Sequence, residues 1–242
     1  MTGPVFGELL GTLVLVYLGD SVVANVLLNK SKGQNSGWIV ITTGWGFAVV
    51  FGILTSLAVG GVAHINPAVT LALAVATGDW SNVVPFIAMQ MVGAFLGAIL
   101  VYVTYLPHWA ETEDPGFKLG IFCTGPAIRN LPSNAVTEGL GTILLVVAGM
   151  AIGSKGVAAG GLPAGFGPFL WGILVWGIGL ALGGPTGYAI NPARDLGPRI
   201  AHAILPIPGK GGSDWGYSWV PVIGPFVGGA IGGLIVANLG IL

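Results

Sequence analysis

The chain is poor in charge: only 7% of its 242 residues are Asp, Glu, Lys or Arg, whereas 54% are hydrophobic. An ordinary soluble domain carries about a quarter charged residues, so this composition is too poor in charge to cover a water-facing surface. The net charge of −1 argues against nucleic acid as a partner. The single cysteine, Cys123, excludes an internal disulfide and a cysteine-based metal site.

Histidine is scarce as well, and its spacing does not suit a metal site. The three histidines are His64, His108 and His202, far apart along the chain. The sequence also lacks a recognisable pair of nucleophile and base. We therefore predict a protein without metal or cofactor that is not an enzyme.

Long apolar stretches are abundant, and each is near the roughly 20 residues that cross a bilayer as a helix. They lie at 4–28, 38–59, 83–106, 134–153, 162–183 and 219–242. This pattern predicts an all-α membrane protein with six transmembrane helices.

An internal repeat divides the chain into two halves. Three segment pairs are similar in the same order: 8–16 with 138–146, 65–71 with 190–196, and 90–98 with 225–233. Because each half holds three spanning helices, an odd number, the second half enters the membrane from the opposite side. The pattern therefore predicts an inverted repeat, in which transport proteins place their site near the bilayer midplane.

We predict one transmembrane domain over 1–242. It consists of a first repeat at 1–106, a connecting loop at 107–133 and a second repeat at 134–242.

Each half contains one Asn-Pro-Ala triplet, Asn66-Pro67-Ala68 or Asn191-Pro192-Ala193, after a glycine-led segment without periodicity. Asn is a favoured N-cap and Pro suits the first helical position, so each triplet indicates a helix start. The run 67–77 would be about 16 Å long, about half of the ~30 Å apolar thickness. Non-helical backbone at that depth survives only beside a polar cavity, so two half-helices imply a pore.

Arg194 is the most unusual charge in the sequence. It lies in the first turn of the second half-helix, where the helix dipole disfavours a cation and the bilayer disfavours any charge. A salt bridge to Asp195, or extension of the side chain to the membrane interface, would be a structural explanation. A role in the pore is the functional one.

Taken together, these motifs resemble the aquaporin, or major intrinsic protein, family over essentially the whole chain. The matching features are the glutamates Glu8 and Glu138, the segments 64–68 and 191–195, and the Gln90-x-x-Gly-Ala of the third helix. The resemblance implies the aquaporin fold, with six helices and two half-helices. It also implies a homotetramer with one pore per chain, in a bacterial plasma membrane.

By resemblance, the narrowest point of the pore is formed by Arg194, Tyr188, Gly179 and one residue of the second helix. We choose Trp45 for that place, although Gly44 or Gly46 would also fit the spacing. The resemblance further implies that backbone carbonyls line the pore, namely those of Val62, Ala63, His64, Gly187, Tyr188 and Ala189.

The glutamates and His64 allow more than one interpretation. Glu8 and Glu138 could extend to the interface, relay protons, or accept hydrogen bonds from the pore loops, as the resemblance implies. His64 fits either a hydrogen-bonded structural residue or a contact for the solute. The two glutamates are the only acids that we place near the membrane centre.

The composition of the constriction favours the glycerol-conducting branch of the family. A Trp and a Tyr opposite Arg194 would suit a solute with one CH side and one hydroxyl side, and Asp195 after the arginine is typical of that branch. We expect a passive channel for glycerol, water, dihydroxyacetone, urea or undissociated lactic acid that excludes ions and protons. Its partners would be these small neutral solutes and the lipid bilayer. A water-selective channel and a proton-coupled transporter are the alternatives.

Overall fold

The computed structural model describes residues 2–241, which form helices and no strand within that range. In chain order the helices are α1 (Pro4–Leu27), α2 (Trp38–Ala58), α3 (Pro67–Thr77), α4 (Val83–Thr104), α5 (His108–Glu111), α6 (Pro115–Phe122), α7 (Leu131–Ile152), α8 (Phe166–Leu182), α9 (Pro192–Ile204) and α10 (Val220–Leu239).

Five of these helices, α1, α2, α4, α7 and α10, are long and apolar enough to cross a membrane. The sixth predicted span is α8, whose 17 residues lie at the short end of the range of about 17–25 for spanning helices. The apolar stretch predicted there began at residue 162, but the helix begins at Phe166. The cause is local: Pro163 and the left-handed Gly165, at φ 80°, precede the first helical turn.

The two half-helices begin where the Asn-Pro-Ala triplets predicted them. α3 is 11 residues long and ends at Thr77, and the next residue, Gly78, caps it in the left-handed conformation with a φ of 77°. α9 has 13 residues and ends just before the Leu205-Pro206 step. Both are too short to cross the bilayer, so each reaches only part of the way through it.

Each half-helix packs mainly against a spanning helix of the other half: α3 lies on α10, and α9 lies on α4. Glycines make this close approach possible. A Cβ atom on Gly229 would lie 2.5 Å from the carbonyl oxygen of Ala68, and one on Gly233 would lie 2.4 Å from that of Ala72. The two halves therefore interlock and do not stand side by side.

The connection between the halves, predicted as a loop over 107–133, contains two short helices, α5 and α6, and α7 already begins at Leu131. Helix α6 starts at Pro115 because the side chain of Asp114 accepts a hydrogen bond from the Gly116 N–H at 2.7 Å. α6 packs against α1 and α9. Helices as short as α5 and α6 carry too little apolar periodicity to be predicted from the sequence.

Candidate pore and constriction

The two half-helices meet through their N-cap asparagines. Asn66 Nδ2 donates to the carbonyl oxygen of Ile190 at 2.8 Å, and Asn191 Nδ2 donates to that of Ile65 at 2.9 Å. Each side-chain oxygen accepts from the first N–H groups of its own helix, such as Ala68 N at 2.8 Å. Since an amide group has two N–H bonds, each asparagine retains one for another partner.

The backbone before each asparagine, which we call the first pore loop (60–65) and the second pore loop (183–190), has an unusual conformation. Ala63 and Ile65 have φ values of 60° and 42°, and Tyr188 and Ile190 have 43° and 44°. Left-handed backbone is costly for residues with a Cβ, so the surrounding structure must hold it. The alternation of left-handed and ordinary residues recurs at equivalent places in both halves.

Within the described residues, six carbonyl groups of these loops are free, whereas four of the loop N–H groups donate to glutamate side chains. Within residues 2–241 no hydrogen-bond donor reaches the six carbonyl oxygens that the resemblance assigned to the pore. These are the carbonyls of Val62, Ala63, His64, Gly187, Tyr188 and Ala189. They are left to bind water or solute, because a buried carbonyl group needs a partner.

The bound N–H groups of the pore loops donate to Glu8 and Glu138. Glu8 accepts hydrogen bonds from His64 N at 2.7 Å and Ile65 N at 2.6 Å, and Glu138 accepts from Ala189 N at 3.0 Å and Ile190 N at 2.8 Å. Both side chains are buried, at 0% and 1% exposure, so neither extends to the membrane interface. This arrangement is the geometry required by the loop-support interpretation.

Behind the first pore loop lies a neutral hydrogen-bond network. Gln90 Nε2 donates to Glu8 at 2.7 Å and to Thr70 Oγ1 at 2.9 Å. His64 Nδ1 is 3.1 Å from the same Thr70 hydroxyl, and its ring packs edge-on against Phe86. His64 also lines the cavity described below, so the two interpretations offered for it are compatible.

Behind the second half-helix lies an ionic network. Asp195 accepts from Arg199 Nε at 2.9 Å and from Thr124 N and Oγ1, both at 2.7 Å. Both charged side chains have 0% exposure. The salt bridge offered as an explanation of Arg194 is therefore absent from residues 2–241, because Asp195 binds Arg199 instead.

Arg194 stacks on Trp45: its guanidinium carbon lies 4.2 Å from the centre of that ring. Of the two alternatives to Trp45, Gly44 faces Val22 of α1, and Gly46 faces Gly172 and Trp176 of α8. Both glycines therefore serve helix packing, and Trp45 is the member of the trio that contacts Arg194.

Tyr188 completes the group, and Gly179 makes room for it. A Cβ on Gly179 would lie 2.7 Å from Tyr188 Cζ, so any side chain there would displace the phenol ring. Trp38 supports the other side: its ring meets that of Tyr188 edge-on, and its Nε1 donates to the Gly179 carbonyl at 3.1 Å. The Tyr188 hydroxyl and Arg194 Nη1 are buried without a protein partner in the described range.

Two cavities meet at the asparagines. The wide cavity, of about 340 Å³, extends from Leu57 and Met150 past the first pore loop. The narrow cavity, of about 50 Å³, is lined by Trp45, Tyr188 and Arg194. Both are lined by Asn66 and Asn191, so the two cavities adjoin one another at these asparagines.

Comparisons with known proteins agree with this geometry. The model of the major intrinsic protein family matches residues 1–236. The chain belongs to the major intrinsic protein family. Curated relatives include the probable glycerol uptake facilitator protein of Thermotoga maritima, 61% identical over 93% of this chain and 94% of that protein. The glycerol uptake facilitator protein of Bacillus subtilis is 51% identical over 95% of this chain and 82% of that protein.

A solved relative extends the comparison to structure. The aquaglyceroporin from Plasmodium falciparum aligns with a TM-score of 0.85 and 29% identity, covering 97% of this chain and 95% of that one. The chain therefore has the aquaporin fold that the family resemblance implied. Its five spanning helices, its family and its bacterial relatives make it a multi-pass protein of a bacterial membrane.

Several residues of this site were not predicted from the sequence. Trp38 and Thr124 support the constriction or the second half-helix from distant parts of the chain, where no short motif marks them. Arg199 lies on α9 itself, four residues after Asp195, a spacing that indicates an ion pair. Asp20 was also passed over, although a lone acid within an apolar helix was a usable signal. It is buried in α1 at 0% exposure, in addition to Glu8 and Glu138, the two acids that the sequence analysis placed near the membrane centre.

Proposed function

We propose that this chain is a passive channel that lets glycerol and other small neutral solutes diffuse across the membrane. The observation that carries the proposal is a pair of adjoining cavities that leads from the first pore loop, past the two asparagines, to Arg194, Trp45 and Tyr188. The names of the bacterial relatives and of the solved neighbour point to the same solute.

The constriction suits a molecule with two different sides. The Trp45 ring and the Tyr188 ring offer apolar surface, and Arg194 offers N–H donors that no protein group of residues 2–241 occupies. A polyol would place its carbon backbone against the rings and its hydroxyl groups toward Arg194 and the carbonyls. The channel thereby replaces the hydration that the solute loses on entry.

Cations are excluded by the electrostatics of the centre. Two helix N-termini meet there, and each carries about half of a positive elementary charge. The remaining N–H bonds of Asn66 and Asn191 make the same point a donor site. A water molecule held there presents its oxygen to both asparagines, which interrupts the chain of hydrogen bonds along which a proton would pass.

Glu8 and Glu138 act as supports of the pore loops in this proposal. Their carboxylates bind the loop N–H groups from behind, which keeps the opposite carbonyl groups directed at the path. Water, dihydroxyacetone, urea and undissociated lactic acid are further solutes of suitable size and neutrality. The assembly is a homotetramer in the lipid bilayer, with one pore in each chain.

The test is stopped-flow light scattering on proteoliposomes, with glycerol, water, urea and lactic acid at several pH values. We expect rapid glycerol flux that does not saturate and does not depend on a proton gradient. Saturable uptake driven by such a gradient would overturn the channel in favour of a coupled transporter. Rapid water flux without glycerol flux would show a water-selective channel instead.

The constriction is tested by Arg194→Val, which removes the charge and widens the narrow cavity. We expect the ranking of solute permeabilities to change. Arg129→Val is the matched control, since Arg129 is exposed and lies outside the path. The same change of ranking in both variants would contradict the placement of the constriction.

A further inference from the structure

The tryptophan of the constriction has a counterpart in the second half of the chain. On α1, a Cβ on Gly19 would lie 2.3 Å from Trp45 Cζ3. On α7, a Cβ on Gly149 would lie 2.1 Å from Trp171 Cη2. Gly149 follows Gly19 at the same offset that relates the segments 8–16 and 138–146 of the repeat. Each half therefore holds one indole ring against a glycine of its first helix.

The contact between α2 and α8 shows that Trp45 and Trp171 are equivalent residues. The glycines that follow them, Gly46 and Gly172, contact each other. A Cβ on Gly46 would lie 3.0 Å from the Gly172 carbonyl oxygen, and one on Gly172 would lie 2.6 Å from that of Gly46. Such reciprocal contact occurs where a two-fold axis relates two equivalent residues. Trp171 is therefore the inverted copy of Trp45.

Trp171 lies in the wall of the wide cavity, where it has different neighbours. Among residues 2–241, no Asp, Glu, Lys or Arg side chain lines this cavity. The place of Arg194 is taken by Val69, and that of Tyr188 by Ala63. Because no charged side chain there would compensate the lost hydration of an ion, the wide cavity is suited to an uncharged ligand.

The polar groups of the wide cavity lie at its inner end. Asn66 and Asn191 line it where it adjoins the narrow cavity. Residues 62–64 of the first pore loop line it as well and bring three free carbonyl groups. The rest of the described lining is apolar, and Trp171 is its aromatic side chain. A fitting ligand therefore has hydroxyl groups at one end and an apolar group at the other.

We propose that the wide cavity is a binding site for an uncharged ligand larger than the transported solutes, an aromatic ether of a small diol. Its ring stacks on Trp171, and its hydroxyl groups bind at Asn66, Asn191 and the first pore loop. The cavity, of about 340 Å³, lies within the range of about 300–1,000 Å³ for small-molecule sites. The narrow cavity, of about 50 Å³, does not admit such a ligand, so the bound molecule occludes the pore.

The occlusion rests on the proposed function, because it is visible only in a conducting channel. Binding itself does not depend on conduction. A ligand that binds the folded protein raises its unfolding temperature, whether or not solute passes. Binding and block are therefore measured separately.

The probe is phenoxypropanediol, a phenyl ether of glycerol. Its binding is measured by the unfolding temperature of the protein in lipid nanodiscs, and its block by glycerol flux into proteoliposomes. Block is expressed as a fraction of the flux of each variant without probe. We expect Trp171→Ala to raise the probe concentration needed for both effects about tenfold, because the ring contact is lost. Trp171→Phe, which keeps an aromatic ring, should recover much of the affinity.

The matched control is Trp176→Ala, the same change on the same helix. Trp176 lies in the groove between α2 and α8, outside both pore cavities. It should leave the required probe concentration unchanged. If Trp176→Ala weakens the probe more than Trp171→Ala does, the probe binds in that groove and the proposal is overturned.

Two further compounds test the site in the unaltered chain. Methoxypropanediol has the same hydroxyl groups without the ring, so it should bind about tenfold more weakly than the probe. Phenoxyethylamine, a cation at neutral pH, should not block, because two helix N-termini point at the inner end of the cavity. Equal binding of all three compounds would contradict the site.

Equal probe affinity in the unaltered chain and Trp171→Ala would also overturn the proposal. Trp171→Leu repeats the test with a bulkier side chain if Trp171→Ala does not fold, and the three compounds decide if neither variant folds. Binding without block would overturn the occlusion of the pore. Absence of glycerol flux in the unaltered chain would refute the proposed function, whereas the unfolding temperature would still decide whether the site exists.

Discussion

In the first pore loop the left-handed position nearest the path carries Ala63, whereas the equivalent position of the second loop carries Tyr188. One turn into the half-helices, Val69 of α3 corresponds to Arg194 of α9. The backbone conformation is repeated, but the large side chain and the charged side chain occur in the second half only. The wide cavity of about 340 Å³ and the narrow cavity of about 50 Å³ follow from that difference. The repeated backbone therefore forms a pore loop in both halves, whereas the side chains that would select the solute occur in one half only.

The surroundings of the two loops differ in a second way. Thr70 and Gln90 form a neutral network in the first half, whereas Asp195 and Arg199 form an ionic one in the second. The residue equivalent to Gln90 is Pro225, which has no side-chain donor. The half that carries the constriction is held by more side-chain contacts, and these include an ion pair. The following predictions, in order of expected effect, test this contrast.

The largest effect is expected from breaking the ionic network. Asp195→Asn leaves Arg199 buried without its counter-charge, and removal of one partner from a buried pair costs about 3–5 kcal/mol. Thr70→Val, the equivalent change in the first half, removes neutral hydrogen bonds worth about 1 kcal/mol each. Thermal unfolding in detergent, followed by circular dichroism, measures both. Equal losses of stability would show that the two networks do not differ in strength.

The next largest effect is expected from Glu8 and Glu138, which support the two pore loops. Glu138→Gln replaces one acceptor by a donor and orphans a loop N–H group, at about 1–3 kcal/mol. Glu8→Gln should cost less, because the Gln90 side-chain oxygen is buried without a partner and can accept from the new amide after the Gln90 amide turns over. Unfolding temperature and glycerol permeability are the measurements. A larger loss of stability in Glu8→Gln than in Glu138→Gln would contradict this prediction. Combining Glu8→Gln with Gln90→Leu should remove the difference in stability between the two variants.

Tyr188→Ala makes the second loop resemble the first. Ala63 shows that alanine adopts this left-handed backbone, so the loop should keep its shape while the constriction opens. We expect larger polyols, such as a four-carbon sugar alcohol, to permeate severalfold faster relative to glycerol. Tyr188→Phe is the control, since it keeps the ring that fills the space beside Gly179. An unchanged ranking of polyols in Tyr188→Ala would remove Tyr188 from the constriction.

The smallest effect concerns the loops that cover the second half. The hydrogen bond from Arg129 to Asp214 lowers the pKa of that carboxyl group below its usual range. The pair therefore stabilises the fold at neutral pH, and this contribution disappears as the pH falls below about 4. Arg129→Gln should lower the unfolding temperature slightly at pH 7 and by less at pH 3. Added salt should reduce the difference at pH 7, because both groups are partly exposed.

The parts of this structure that follow from local chemistry could be predicted from the sequence. The bounds of α3 follow from Asn66 and Pro67 at one end and Gly78 at the other, and the matching triplet in the second half placed the start of α9. The six pore-loop carbonyl groups that the family resemblance assigned to the pore accept no hydrogen bond within residues 2–241, and their place in the pore stays a prediction. Whether they bind solute also stays a prediction.

The rest depends on contacts between distant segments. Trp38 reaches Gly179 from 141 positions away, and Thr124 reaches Asp195 from 71 positions away. No spacing rule links such residues, since their proximity exists only after α2 packs on α8 and α6 on α9. The sequence suggested Asp195 as a partner for its neighbour Arg194, but the i, i+4 spacing on α9 brings Arg199 to Asp195 instead.

The crossed hydrogen bonds of Asn66 and Asn191 are reciprocal, as in the interface of a two-fold symmetric dimer, where residue i contacts j and j contacts i. Two separate copies of one ancestral half could form this centre without being joined. Such a dimer would carry an arginine at both mouths of the pore or at neither. Fusion into one chain removed that constraint, so that one mouth could narrow around a charge while the other stayed open.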